Sequence, residues 1–139
     1  MNEWTVAYTD GASSGNPGPS GRAVLIDGEV IADCVLHATN NEMELFAMYQ
    51  VVANCQPGIG LVIVSDSKLA IGLMTGWHTD LRHLSSIRDI TLEVARIKGV
   101  TLSFEKTKGH AFDKYNNIVD RAAVTQSRIA LGIVHAGNV

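Results

Sequence analysis

The spacing of apolar and polar positions changes several times along the chain, and each change marks an element. Trp4 to Thr9 and Arg22 to Ile26 read as strands. Asp27-Gly28, set directly after the second, is a strong signal for a two-residue hairpin. It turns the chain into a third strand, Glu29 to Leu36, so the first three strands form a meander. From there the period lengthens. Leu45, Met48, Tyr49 and Val52 share one face of a helix that Asn40 or Asn41 caps and that runs to about Asn54. Pro57-Gly58 and Gly60 break it. Leu61 to Val64 are four apolar residues in a row, the mark of a strand buried on both faces. Ser67 to about Thr75 reads as a short helix. Asp80 is placed to cap a longer one, with Leu84, Ile87, Val94 and Ile97 toward the core and Gly99 at its end. Val100 to Glu105 is a fifth strand, and Asp113 to about Ile129 a last helix.

The resulting order, βββαβααβα, predicts an α/β fold: a five-stranded mixed sheet with helices on both faces. The Gly/Ser/Pro cluster from Gly11 to Gly21 lies between two apolar segments and reads as a loop, not a boundary. With no linker, repeat or low-complexity block, residues 1–139 are expected to form a single domain. Apolar residues at 46% and charged residues at 18% suit a globular chain. No apolar run reaches the roughly 18 residues of a spanning helix, so no membrane association is expected. Met1-Asn2-Glu3-Trp4 lacks the basic and apolar regions of a signal peptide. Cys34 and Cys55 have no metal-type spacing and read as reduced core thiols, in keeping with a cytoplasmic location. The formal net charge is −3, which argues against a broad basic surface. Any nucleic-acid partner has to be recognised by local chemistry.

That chemistry lies in the carboxylates. In such sheets ligands bind beyond the carboxyl ends of parallel strands, where the strand order reverses. Asp10 closes the first strand and Asp66 the fourth, so parallel neighbours would set them side by side. Glu44 falls in the first turn of its helix. Like charges gathered there repel, and a divalent cation such as Mg²⁺ is the simplest compensation. Taken singly, each acid has an ordinary explanation: Asp66 a helix cap, Glu44 a first-turn residue favoured by the helix dipole, Asp120 a solvated charge beside Arg121.

Taken together they form a pattern. Tyr8-Thr9-Asp10-Gly11-Ala12-Ser13-Ser14-Gly15-Asn16-Pro17-Gly18-Pro19-Ser20-Gly21 closely resembles the opening motif of type 1 ribonuclease H. Thr39-Asn40-Asn41-Glu42-Met43-Glu44-Leu45 resembles the family's second motif, and Val64-Ser65-Asp66-Ser67 its third. Lys108-Gly109-His110-Ala111 and Asn116 with Asp120 resemble the fourth and fifth. The resemblance spans residues 4 to about 125. It implies the ribonuclease H-like fold and an endonuclease that cuts the RNA strand of RNA–DNA hybrids, leaving 5′-phosphate and 3′-hydroxyl ends. It assigns Asp10, Glu44, Asp66 and Asp120 to two Mg²⁺ ions about 4 Å apart, with Mn²⁺ as a substitute. His110 takes the place of the family's mobile histidine and would carry a proton. Gly11, Asn16, Thr39, Asn40, Asn41, Lys68 and Asn116 fall where the hybrid is held, the amides suiting base edges and 2′-hydroxyls. His37, His78, His83 and His135 match nothing and read as structural or surface residues.

Two departures stand out. Gly76-Trp77-His78-Thr79-Asp80 runs almost directly into the next helix, so the basic protrusion that many bacterial members carry is missing. Lys68 replaces the familiar neutral amide. Weak hybrid affinity is therefore expected, offset either by Arg82, Arg88, Lys106 and Lys108 or by a partner protein that grips the hybrid. A monomer is the default. The competing readings are another nuclease on this fold and a catalytically silent hybrid-binding module.

Overall fold

A computed structural model describes residues 4–107 and 113–137. The chain builds β1 (Trp4–Ser13), β2 (Gly18–Ile26), β3 (Glu29–Ala38), α1 (Asn40–Asn54), β4 (Gly60–Ser65), α2 (Lys68–Met74), α3 (Arg82–Lys98), β5 (Thr101–Lys106) and α4 (Lys114–Gly137). The strands form one sheet in the order β3-β2-β1-β4-β5. β2 is antiparallel to both β1 and β3, whereas β4 is parallel to both β1 and β5. The predicted order and mixed sheet are both found. The hairpin forms as expected: Asp27 and Gly28 have φ of 52° and 76°, the left-handed pair that a twisted two-residue turn requires.

Period-two alternation separates the two faces. Val24 packs with Ala7, Leu61 and Ile63 under α1, α2 and α3. Its neighbours Ala23 and Leu25 point the other way, against Val119 and Ala123 of α4. The first layer is large and built from Leu, Met, Ile and Val. The second is thin and alanine-rich, so α4 lies very close to the sheet. Gly21 shows how close: a Cβ there would stand 2.6 Å from the backbone nitrogen of Ser127 and closer still to the Ala123 carbonyl. Gly21→Ala is expected to lower stability in urea by about 2–3 kcal/mol, the upper range for overpacking. An unchanged midpoint would mean that α4 shifts without cost.

Several expectations need correction. β1 does not end at Asp10, and the Gly/Ser/Pro cluster is largely strand: Gly11–Ser13 pair with Ser20–Arg22, leaving only residues 14–17 outside strands. The cap of α1 is Thr39, not Asn40 or Asn41. Asp80 does not cap α3. Leu81 holds that position without a side-chain bond, and Asp80 pairs with His78 at 2.9 Å. Ile97 is 69% exposed, because Thr91, Ala95 and Lys98 supply the inward stripe instead. Lys98 reaches across to α1, where its Nζ donates to the carbonyls of Val52, Ala53 and Cys55 at 2.6–2.9 Å. Those are the end carbonyls a helix leaves without partners. Finally, α4 continues past Ile129 to Gly137. Among the described residues, no helix is long and apolar enough to cross a membrane.

Candidate metal centre and nucleic-acid face

The strand register decides where the acids meet. Tyr8 pairs with Val64 across parallel β1 and β4. Two residues further on, Asp10 near the end of β1 and Asp66 just past the end of β4 are therefore brought side by side. The sheet changes from antiparallel to parallel pairing at β1, which is where ligand clefts open in such folds. Asp66 has no capping duty. Ser67 caps α2 by accepting the Ala70 N–H at 3.0 Å, and Ser65 Oγ accepts the Ser67 N–H at 3.0 Å.

Glu44 is likewise released from helix-start work. Thr39 Oγ1 accepts the Glu42 N–H at 3.1 Å, and Glu42 Oε1 accepts the Thr39 N–H at 2.9 Å. This reciprocal box satisfies the first turn, and Glu44, two residues on, turns inward. α1 rests on the backbone of β1 at Gly11, where a Cβ would lie 2.6 Å from the Glu44 nitrogen. Only glycine allows that approach. It also lets one donor serve two acids: the Gly11 N–H donates to Asp10 Oδ1 at 2.9 Å and to Glu44 Oε1 at 2.7 Å. Ser65 Oγ donates to Glu44 Oε2 at 3.4 Å.

One carboxylate oxygen each from Asp10, Glu44 and Asp66 lies within 4.8 Å of the others. Asp10 and Glu44 are only 4% and 7% exposed. Burial, then the hydrogen bond and charge of Glu44, push the Asp10 carboxyl up to about 10. Burial also raises Glu44, and Asp66 adds to that. Asp66 is raised by burial and by Asp120. Among the described residues, no ion pair neutralises the trio. Three hard, crowded oxygen donors without a counter-charge are the donor set that a small divalent cation satisfies.

The other expected residues fall around this centre. Asp120, from the second turn of α4, is near enough to add to the upward shift of Asp10 but stands outside the trio. Asn116, one turn earlier, is buried, and its Oδ1 has no partner among the described residues. Its N–H donates to Asp113 Oδ1 at 3.1 Å. Asn16 Oδ1 accepts the Asn40 N–H at 3.0 Å, which joins the glycine-rich turn to the start of α1. Asn40, Asn41 and Lys68 are all exposed. His110 and the rest of Lys108-Gly109-His110-Ala111 lie outside the described residues. Ser65 is a site residue that the sequence reading misses; its place directly before Asp66 in the third motif is the available signal. Lys106 enters that reading only as a distant cation. It pairs in register with Ser65, and its charge acts on Asp66.

Comparison with known proteins gives the family. The RNase H family model matches residues 2–128. The chain belongs to the RNase H family. A ribonuclease H from Prosthecochloris aestuarii is 32% identical over 146 residues, covering 92% of this chain and all of that relative. The activity class follows: the chain is a ribonuclease H enzyme, with the type 1 motifs in order. Two solved structures share the fold. The RNase H domain of a Mycobacterium tuberculosis protein superposes with a TM-score of 0.79 at 22% identity, covering 94% of this chain and 98% of that one. LC11-RNase H1, solved in complex with an RNA/DNA hybrid, gives a TM-score of 0.81 at 21% identity, covering 91% and 99%.

Proposed function

We propose that this enzyme hydrolyses the RNA strand of RNA–DNA hybrids with two bound divalent ions, Mg²⁺ or in its place Mn²⁺, leaving 5′-phosphate and 3′-hydroxyl ends. The observation that carries the reading is the trio of buried Asp10 and Glu44 with exposed Asp66, with Asp120 beside it, on a ribonuclease H fold. The hybrid-bound structural neighbour supports the choice of substrate.

Asp10, Glu44 and Asp66, completed by Asp120, would hold the ions. When bound, such ions supply charge stabilisation for an in-line displacement at phosphorus and lower the pKa of the attacking water. The rest is positioning by the chain itself. The shared Gly11 N–H fixes Asp10 and Glu44 relative to each other, so little reorganisation is needed as charge develops. Asn16 and Asn40, joined by a hydrogen bond, and Asn41 with the Thr39 hydroxyl would contact the hybrid from the start of α1. Their amides can meet 2′-hydroxyls and base edges of a minor groove, which is how RNA is told from DNA. Asn116, whose buried Oδ1 has no partner among the described residues, would support the site one turn before Asp120. We assign proton transfer to His110.

The test is cleavage of an end-labelled RNA–DNA hybrid in Mg²⁺, beside single-stranded RNA, duplex RNA and duplex DNA. Cutting of the hybrid's RNA strand alone is the expected result. Cutting of duplex DNA or of a four-way junction would move the chain to another nuclease class. Hybrid binding without cutting, in either metal, would make it a binding module.

A further inference from the structure

The chain has eleven lysines and arginines against fourteen acids and lacks the basic protrusion, so its few free cations matter. Half of those described are committed elsewhere. Arg22 is held by Asp33, Arg88 by Asp89 and Arg96 by Glu93. Lys98 is consumed by three carbonyls of the α1 end, and Lys114 lies over the Tyr115 ring.

Lys106 is set apart by its place. It is the last residue of β5, in register with Ser65 on β4, and the Thr107 N–H donates to the Ser65 carbonyl at 2.9 Å. This pins Lys106 beside the strand end that presents Asp66. Its side chain is exposed and its Nζ makes only a long 3.4 Å bond to the Thr107 carbonyl. Among the described residues no ion pair holds it. It is nevertheless near enough for its charge to act on Asp66. Across Asp66 stands Lys68, exposed at the start of α2. Asn16 and Asn40 lie at the β1–α1 side of the acids, and these two lysines at the ends of β4 and β5.

We infer that Lys106 is a substrate-positioning residue that grips a backbone phosphate of the hybrid next to the one being cut, taking over part of the work of the missing protrusion. The inference rests on the proposed hybrid substrate. A lysine suits this role because its flexible stem carries a point charge with three donors, which needs no fixed fork geometry. Once the acids hold metal, their pull on the ammonium falls, which leaves it free for the phosphate.

The experiment measures binding of a short labelled RNA–DNA hybrid to Asp10→Asn and to Asp10→Asn/Lys106→Gln across a salt series in Mg²⁺. Steady-state cleavage by Lys106→Gln and Lys106→Arg accompanies it. Loss of one phosphate contact should flatten the slope of log affinity against log salt by about one unit. In cleavage the loss should appear as a several-fold rise in KM with little change in kcat, and Lys106→Arg should recover most of it. An unchanged salt slope overturns the inference. So does a fall in kcat with the slope kept, because Lys106 would then act through Asp66 and not on the substrate. If Asp10→Asn binds no hybrid at any salt and the parent cuts none, the substrate reading itself fails.

Discussion

Replacing Asp10 with asparagine is expected to lower hybrid cleavage by about 10³-fold, the scale seen when a preorganised charge-stabilising group is removed, and at the same time to stabilise the metal-free protein. Both effects have one cause. Asp10 is almost fully buried, shares the Gly11 N–H with Glu44, and lies with Asp66 and Asp120 in a cluster that no described ion pair neutralises. Its carboxylate is needed to hold the metal but raises the energy of the fold when the metal is absent. Asparagine keeps the shape and an oxygen that can still accept from Gly11, and it removes the repulsion. A gain of about 1 kcal/mol, or a few degrees in melting temperature for a domain of this size, is the expected scale. Thermal unfolding in EDTA alongside the cleavage assay checks both halves. Lost activity with lost stability would mean that Asp10 is a structural residue whose negative charge the fold requires.

The same cluster sets an unusual pH dependence. An acid whose pKa is higher in the folded chain than in the unfolded chain retains its proton on folding. Its stabilising contribution is full below the unfolded value, near 3.8 for Asp, and drains as pH rises toward the folded value, about 10 for Asp10. Glu44 and Asp66 are raised as well, so their contributions have the same sign. Stability of the metal-free protein is therefore expected to fall steadily from pH 5 to pH 9, with a slope of up to about 1.4 kcal/mol per pH unit for each proton that differs. Mg²⁺ should oppose this. It competes with the protons, so it should stabilise little at pH 5 and by about 2–3 kcal/mol at pH 8 or 9 if present at a hundred times its dissociation constant. Urea unfolding at four pH values, with and without Mg²⁺, provides the measurement. A metal-free stability that rises through this range would show that the acids are paired in a way the geometry does not contain.

The order of the elements and the acids were legible because they are written in local pattern. Alternation, the Asp27-Gly28 turn and Gly99 each have a single physical reading, and the motifs carry Asp10, Glu44, Asp66 and Asp120 in order. What was not legible depends on competition between neighbours. Thr39, Asn40 and Asn41 are all capping residues, and only Glu42 three residues beyond Thr39 favours the first. Asp80 has the right chemistry to cap α3, but His78 takes it. Ile97 fits an apolar period that Lys98 overrides, because the carbonyls at the end of α1 lie within its reach. α4 runs on through Gly132, a residue that often ends a helix, to Gly137. The role of Lys106 follows from which residue of β4 it faces, and strand register is not visible in a single segment.

The thin, alanine-lined seam under α4 has a consequence for how this enzyme could lose activity. Three of its acids belong to the main body of the molecule, on β1, α1 and the turn after β4, while the fourth, Asp120, travels with α4. That helix is held by a small cluster of Ala23, Leu25, Val119 and Ala123, far poorer in apolar bulk than the opposite layer. Heat, denaturant or a nick near α4 should therefore lift it as a unit, well before the rest unfolds. The state so produced would keep its metal-binding trio yet be unable to cut. In hydrogen exchange, the amides of α4 should open together and early, and that opening should set the temperature at which activity fails.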